Sequence, residues 1–167
     1  MAIEKLEADW ANQWRGTWTS TKECEDWAVI EKVLTYQGIS WMIRKVGLAI
    51  TPQDGLDIVV ENGVPALQVA RLSLPKVLGQ PVYRFPLNGS EIQYDDAPFG
   101  KLKASLKRVD GPGNVIHHDV AAVDGSWTAA HDWSIEEENG EHFHHRRTVF
   151  KTGKEVLNIH QKYKKTV

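Results

Sequence analysis

Ile116-His117-His118-Asp119-Val120-Ala121-Ala122-Val123-Asp124-Gly125-Ser126-Trp127-Thr128-Ala129-Ala130-His131-Asp132-Trp133 sets one tight-turn dipeptide between two runs of alternating character. Asp-Gly tolerates the positive φ angles that a two-residue hairpin turn needs. Such a turn places Ala122 opposite Trp127, Val120 opposite Ala129, His118 opposite His131 and Ile116 opposite Trp133, which gathers the apolar and aromatic residues of both strands on one face. Asn139-Gly140, read the same way, sets Ile135 against His144, Trp133 against Arg146, His131 against Thr148 and Ala129 against Phe150. Thr152-Gly153 then sets Thr148 against Leu157, Arg146 against Ile159, His144 against Gln161 and His142 against Tyr163. All three turns agree with the apolar pattern. The shared inward face carries His118, His131, His142, His144, Arg146, Gln161 and Tyr163 among Trp127, Trp133, Ile135, Leu157 and Ile159. The outward face carries His117, Asp119, Asp132, His145, Arg147, His160 and Lys162, which suits water. A dry core does not hold so many polar groups, since each one left unpaired costs roughly 1–3 kcal/mol; the interior reads as a wet or ligand-filled cavity.

Outward from this stretch, Asn62-Gly63, Asn88-Gly89 and Asp110-Gly111 punctuate further short alternating segments, the pattern of an antiparallel sheet that closes on itself. With Gly16 to Thr19 as an opening strand, the chain supplies about ten strands. Pro75, Pro81 and Pro86 make residues 74–87 the hardest part to place, because proline is confined to strand edges and bulges. The first third reads as helices. Ile3, Leu6, Trp10 and Trp14 form one stripe ended by Gly16, a helix suited to plug an open end. Ser20 with Glu23 reads as a capping box for a second helix through Cys24, Trp27, Ile30 and Leu34. Gly38 breaks it, and a third helix through Ile39, Met42, Ile43 and Val46, capped by Ser40, stops at Gly47. The expectation is a mainly β fold: an up-and-down barrel of about ten antiparallel strands (55–165) with a helix-turn-helix lid (20–47) and an extra N-terminal helix (1–15), one domain over residues 1–167.

Composition narrows the function. The chain has 167 residues, 41% hydrophobic and 25% charged, with a formal net charge of -2. That balance suits a globular protein and lacks the basic excess of a nucleic-acid binder. Cys24 is the single cysteine, so neither an internal disulfide nor a thiolate zinc site can form. A reducing, cytoplasmic compartment is the simpler expectation, with no targeting segment and no apolar run near the ~20 residues of a membrane span. His142 and His144 share a strand face but lack a third ligand, so no metal and no cofactor is expected. The sequence has no Gly-x-Ser-x-Gly elbow, Walker loop, Gly-x-Gly-x-x-Gly or His-Glu-x-x-His.

Gly16-Thr17-Trp18 on an opening strand, a helical pair, and Gly38-Ile39-Ser40-Trp41-Met42-Ile43-Arg44-Lys45-Val46-Gly47 followed by Pro52 resemble the intracellular lipid-binding proteins, the fatty-acid-binding and retinoid-binding family, over nearly the whole chain after residue 15. The resemblance implies a calycin-like ten-stranded barrel around a water-filled cavity, lidded by the helix pair, with an Arg-x-Tyr on the last strand for the ligand's carboxylate. Here the triplet is Gln161-Lys162-Tyr163: the tyrosine is kept, the arginine is replaced by the glutamine that retinol-type members also use, and Arg146 on the neighbouring strand stands as the alternative charge. Val46-Gly47-Leu48-Ala49-Ile50-Thr51-Pro52 with Glu61-Asn62-Gly63 is similar to the small luciferase subunit of deep-sea shrimps, which has the same barrel; the dinoflagellate luciferases have a related one that depends on histidines for pH control.

Two functions of different class follow. The first is a monomeric carrier of one small hydrophobic molecule with a polar end, bound by Trp127, Trp133, His142, His144, Arg146, Gln161, Tyr163 and Met42. The second is a cofactor-independent enzyme on the same barrel, a luciferase-like oxygenase or a cyclase or isomerase of an apolar metabolite, with His118 and His131 as acid and base. Trp27, Trp41, Met42 and Ile43 are expected to form lid core, with Trp41 and Met42 where the lid meets the cavity.

Overall fold

The computed structural model describes residues 2–73, 80–96, 98–110 and 113–166, the first five of them by backbone alone. Helix α1 (Ala2–Trp14) leads into strand β1 (Gly16–Ser20), helices α2 (Trp27–Tyr36) and α3 (Trp41–Ala49), and then nine strands: β2 (Gln53–Glu61), β3 (Val64–Arg71), β4 (Val82–Pro86), β5 (Ile92–Asp96), β6 (Gly100–Arg108), β7 (Asn114–Ala122), β8 (Thr128–Glu138), β9 (Glu141–Lys151) and β10 (Val156–Lys165). Every pairing is antiparallel, in the order β4-β3-β2-β1-β10-β9-β8-β7-β6-β5. Ten strands thus make a nearly closed barrel whose seam lies between β4 and β5. Side chains cross the seam, the Tyr83 hydroxyl donating to Asp96 (3.2 Å) and the Tyr83 and Phe85 rings packing on Tyr94, and just past β4 the backbone reaches β6, with Gly89 N donating to Leu106 O (2.8 Å).

The turn chemistry explains the register. Asn139 and Gly140 take φ of 52° and 81°, and Glu138 pairs with Glu141 across them, the two-residue turn expected. Asp124-Gly125 sits in a longer loop, 123–126, because the Asp124 carboxylate accepts from the backbone and hydroxyl of Ser126 and draws it into the turn. Ala122 N still donates to Trp127 O (3.2 Å), and His118 faces His131 as the shorter turn would have it. The third turn differs in register. Thr152 Oγ1 accepts from the amides of Lys154 and Glu155, so the loop spans 152–155 and Lys151 pairs with Val156. Tyr163 therefore faces His144, Gln161 faces Arg146 and Ile159 faces Thr148. A slip of two leaves every side chain on its expected face, since strand periodicity is two.

The helices depart from the sequence reading at their starts and stops. Ser20 ends β1, its amide donating to Pro52 O and its hydroxyl to Glu25. The cap of α2 is Asp26, whose carboxylate accepts from the amides of Ala28 and Val29 (3.1 and 3.3 Å). Ser40 caps α3 as expected, but Gly47 lies within that helix, which runs on to Ala49. Met42 and Trp41 are 71% and 63% exposed. Ile43, Gly47 and Leu48 share the inward face, so helical spacing turns Met42 out to solvent. Gly111 and Pro75 lie outside the described residues. At the end opposite the helix pair, α1 closes the barrel: Trp14 is fully buried, its indole N–H donating to Asn114 Oδ1 (2.5 Å) at the start of β7.

Candidate functional site

Beneath α2 and α3 the barrel holds a cavity of about 420 Å³. Its walls are mainly apolar: Ile30, Val33 and Leu34 from α2, Leu102 and Val120 from β6 and β7, and Trp127, which stacks on Phe150 at 5.6 Å. Strand alternation brings a small set of polar side chains to the same wall, among them His118, His131, Arg146, Gln161 and Tyr163.

Arg146, on β9, is hydrogen-bonded on three sides. Its guanidinium lies between the rings of Trp133 (4.0 Å to the centroid) and Tyr163 (4.3 Å), where the π faces stabilise a cation removed from water. Nε donates to His144 Nε2 (2.8 Å), Nη1 to the Tyr163 hydroxyl (3.3 Å) and Nη2 to Asp54 Oδ2 (2.8 Å). His144 Nδ1 lies 3.1 Å from the Ser134 carbonyl oxygen. It must carry the proton, leaving Nε2 free to accept from Arg146. Burial first, and Arg146 second, hold the His144 pKa far below its usual value; the ring is neutral, packed among Trp14, Trp18, Trp133 and Tyr163. Burial pushes the Tyr163 hydroxyl up to about 12 against the pull of Arg146. For Arg146, the attraction of Tyr163 and Asp54 more than offsets desolvation, and its pKa rises.

A second interior pair lies across the seam. Arg71 meets Asp96 with two parallel bonds of 2.8 and 2.6 Å, and Asp96 is 1% exposed. Neither carboxylate figured in the sequence reading, yet the signal was there: Asp54 shares its strand face with Leu56 and Ile58, and Asp96 shares one with Ile92 and Tyr94.

His118 and His131 stack face to face at 5.0 Å between β7 and β8. His131 Nδ1 pairs with Thr148 Oγ1 at 2.6 Å. Its pKa is pushed down to about 3, by burial and then by Arg146, and His118 is depressed by burial and by His131. Both shifts favour the neutral rings at neutral pH. Among the described residues neither nitrogen of His118 has a partner, and neither does the indole N–H of Trp133, which meets His118 edge to face at 5.4 Å.

Three expected ligand contacts fall elsewhere. His144 is fully buried and does not line the cavity. Met42 faces solvent, and His142 is exposed: it keeps the inward parity of β9 but sits near the Asn139-Gly140 turn, beyond the barrel wall. His145, expected in water, is 3% exposed on the outer face, where its Nδ1 pairs with His160 Nε2 (2.8 Å) and its Nε2 with Glu138. Among the described residues no three His, Cys, Asp or Glu side chains converge as a metal site.

No protein-family model and no curated protein matches the sequence. Solved structures do match. A fatty acid binding protein of Schistosoma mansoni in complex with arachidonic acid superposes with a TM-score of 0.62 at 13% identity, over 94% of this chain and 98% of that one. The chain has the fatty-acid-binding-protein fold. A zebrafish ileal bile acid-binding protein complexed with cholic acid (TM-score 0.56, 13% identity, 91% of this chain and 98% of that one) and As-p18, an extracellular fatty acid binding protein (0.58, 14%, 93% and 97%), share it. In this chain α2 and α3 lie over the cavity, whereas α1 precedes the first strand and closes the far end. No helix among the described residues is long and apolar enough to cross a membrane.

Proposed function

We propose that the protein is a monomeric carrier of one small hydrophobic molecule with a polar end, held in the barrel beneath α2 and α3. The observation that carries this reading is the cavity of about 420 Å³ with apolar walls and a few buried polar groups, the size and make-up of a small-molecule site. The arachidonic acid and cholic acid named with two proteins of the same fold support it. Trp127 and Trp133 supply the large apolar surface, and the polar wall that includes His118, Arg146, Gln161 and Tyr163 receives the ligand's polar end. The lone Cys24 suits a cytoplasmic setting. Native mass spectrometry of protein purified from its own source is expected to reveal a co-purified apolar compound. Emission from Trp127 and Trp133 is expected to respond to members of a panel of fatty acids, retinoids and flat aromatic heterocycles. No extracted ligand together with an unchanged emission across the panel would overturn the proposal.

A further inference from the structure

The charges lining the cavity cancel. Three carboxylates (Glu25, Asp54, Asp96) face it together with three guanidiniums (Arg44, Arg71, Arg146). The two arginines set in the barrel wall are already engaged, Arg146 by Asp54 and Arg71 by Asp96. A ligand carboxylate placed against either would add a negative charge beside the resident one, in a medium where an uncompensated charge is costly. Among the described residues, the cavity-lining polar atoms that lack partners belong to Glu25 and Arg44, whose charges are opposite, and to His118 and Trp133, which are uncharged and adjacent. His118 and Trp133 are 8% and 6% exposed, both line the cavity, and both His118 nitrogens and the Trp133 indole N–H are unsatisfied. A neutral imidazole offers one donor and one acceptor, and an indole one donor. A single hydroxyl answers both residues, accepting from the Trp133 N–H while donating to the bare nitrogen of His118.

Resting on the carrier reading, we infer that the ligand is an uncharged lipid alcohol whose hydroxyl is held deep in the barrel by His118 and Trp133, and that Arg146 is a structural cation instead of a carboxylate clamp. The hydrocarbon then extends from this pair toward the helix-lined mouth, past Val120 and Leu34.

The test is a tryptophan-fluorescence titration of the full chain, freed of endogenous ligand, with decanol, decanoate and decane at neutral pH. Decanol is expected to bind at least tenfold tighter than decanoate and severalfold tighter than decane. His118→Phe and Trp133→Phe are each expected to weaken decanol about five- to tenfold while leaving decane unchanged. Because either variant can lose the fold, the indole N–H resonance of Trp133 in the unaltered protein is followed by heteronuclear NMR as well; it is expected to move downfield with decanol and to stay in place with decane. Equal or tighter binding of decanoate, or a Trp133 resonance indifferent to decanol, overturns the hydroxyl assignment and leaves the carrier reading standing. If none of the three compounds binds, the assignment falls along with the carrier reading for simple lipids.

Discussion

His131 shows how burial fixes a protonation state. Desolvation, then the nearby Arg146, push its pKa down to about 3, against roughly 6.5 in an unfolded chain. Between those values the unfolded state binds a proton that the folded state refuses, so stability falls as pH drops below about 6.5 and this residue adds no pH dependence above it. At about 1.4 kcal/mol per pH unit, moving from pH 6.5 to 5 costs about 2 kcal/mol for His131 alone. His118 and His144 act in the same direction. His117 opposes them, its pKa raised chiefly by the Asp132 carboxylate, but it is half-exposed and its effect is screened. Denaturant unfolding at pH 7 and pH 5 is expected to show this loss, and His131→Phe to reduce it; a stability flat across that interval contradicts the inward placement. That placement was legible from sequence because turn position and strand parity determine it. The Arg146–Asp54 pair was not, because it joins residues 92 apart in the chain and needs β1 inserted between β2 and β10 to bring them together.

At the scale of elements, turn length was the least legible feature, and hydrogen bonds accepted by the first side chain of the dipeptide decide it. Thr152 accepts two amides and lengthens its loop by two residues, whereas Asn139-Gly140 has no such competitor and stays tight. The start of α2 was ambiguous for a related reason: Ser20 and Asp26 both make good caps, and the pairing of β1 with the chain near Pro52 claims Ser20. Asp26→Ala is expected to cost about 1 kcal/mol of helix stability. The loss should appear as faster hydrogen exchange across α2, with little change in the global unfolding midpoint, because only Val33 of that helix is buried. Helix α1 differs, since its last turn drives the fully buried Trp14 into the barrel end. Trp14→Ala opens a cavity beside His144 and leaves Asn114 Oδ1 without its donor. A loss of about 3–5 kcal/mol in urea unfolding is expected. A loss below 1 kcal/mol would mean that α1 rests on the barrel without closing it.

Across the whole molecule, the barrel joins residues from distant strands into one interior whose charge is balanced before any ligand arrives. β2 and β5 supply Asp54 and Asp96; β3 and β9 supply Arg71 and Arg146. Balance of this kind selects ligands by charge through the interior as a whole, since a buried pair tolerates a third charge poorly. Altering one member should therefore change ligand class without altering the fold. Asp54→Asn keeps a side-chain oxygen to accept from Arg146 Nη2 but removes the negative charge, so the cavity carries an uncompensated cation. Decanoate affinity is expected to rise about tenfold, equivalent to about 1.4 kcal/mol, while decanol changes little, because its hydroxyl is placed at His118 and Trp133. The gain should shrink as salt is added to the extent that the cavity mouth admits ions. The exposed variant Asp57→Asn removes an equal charge from the outer face of the same strand, where Arg15 pairs with it, and should leave both affinities unchanged. Parallel fluorescence titrations of the three proteins decide the matter: if Asp54→Asn binds decanoate no better than the unaltered chain, then Arg146 lies beyond the reach of the ligand, and selection by charge must come from the rim groups Glu25 and Arg44 instead.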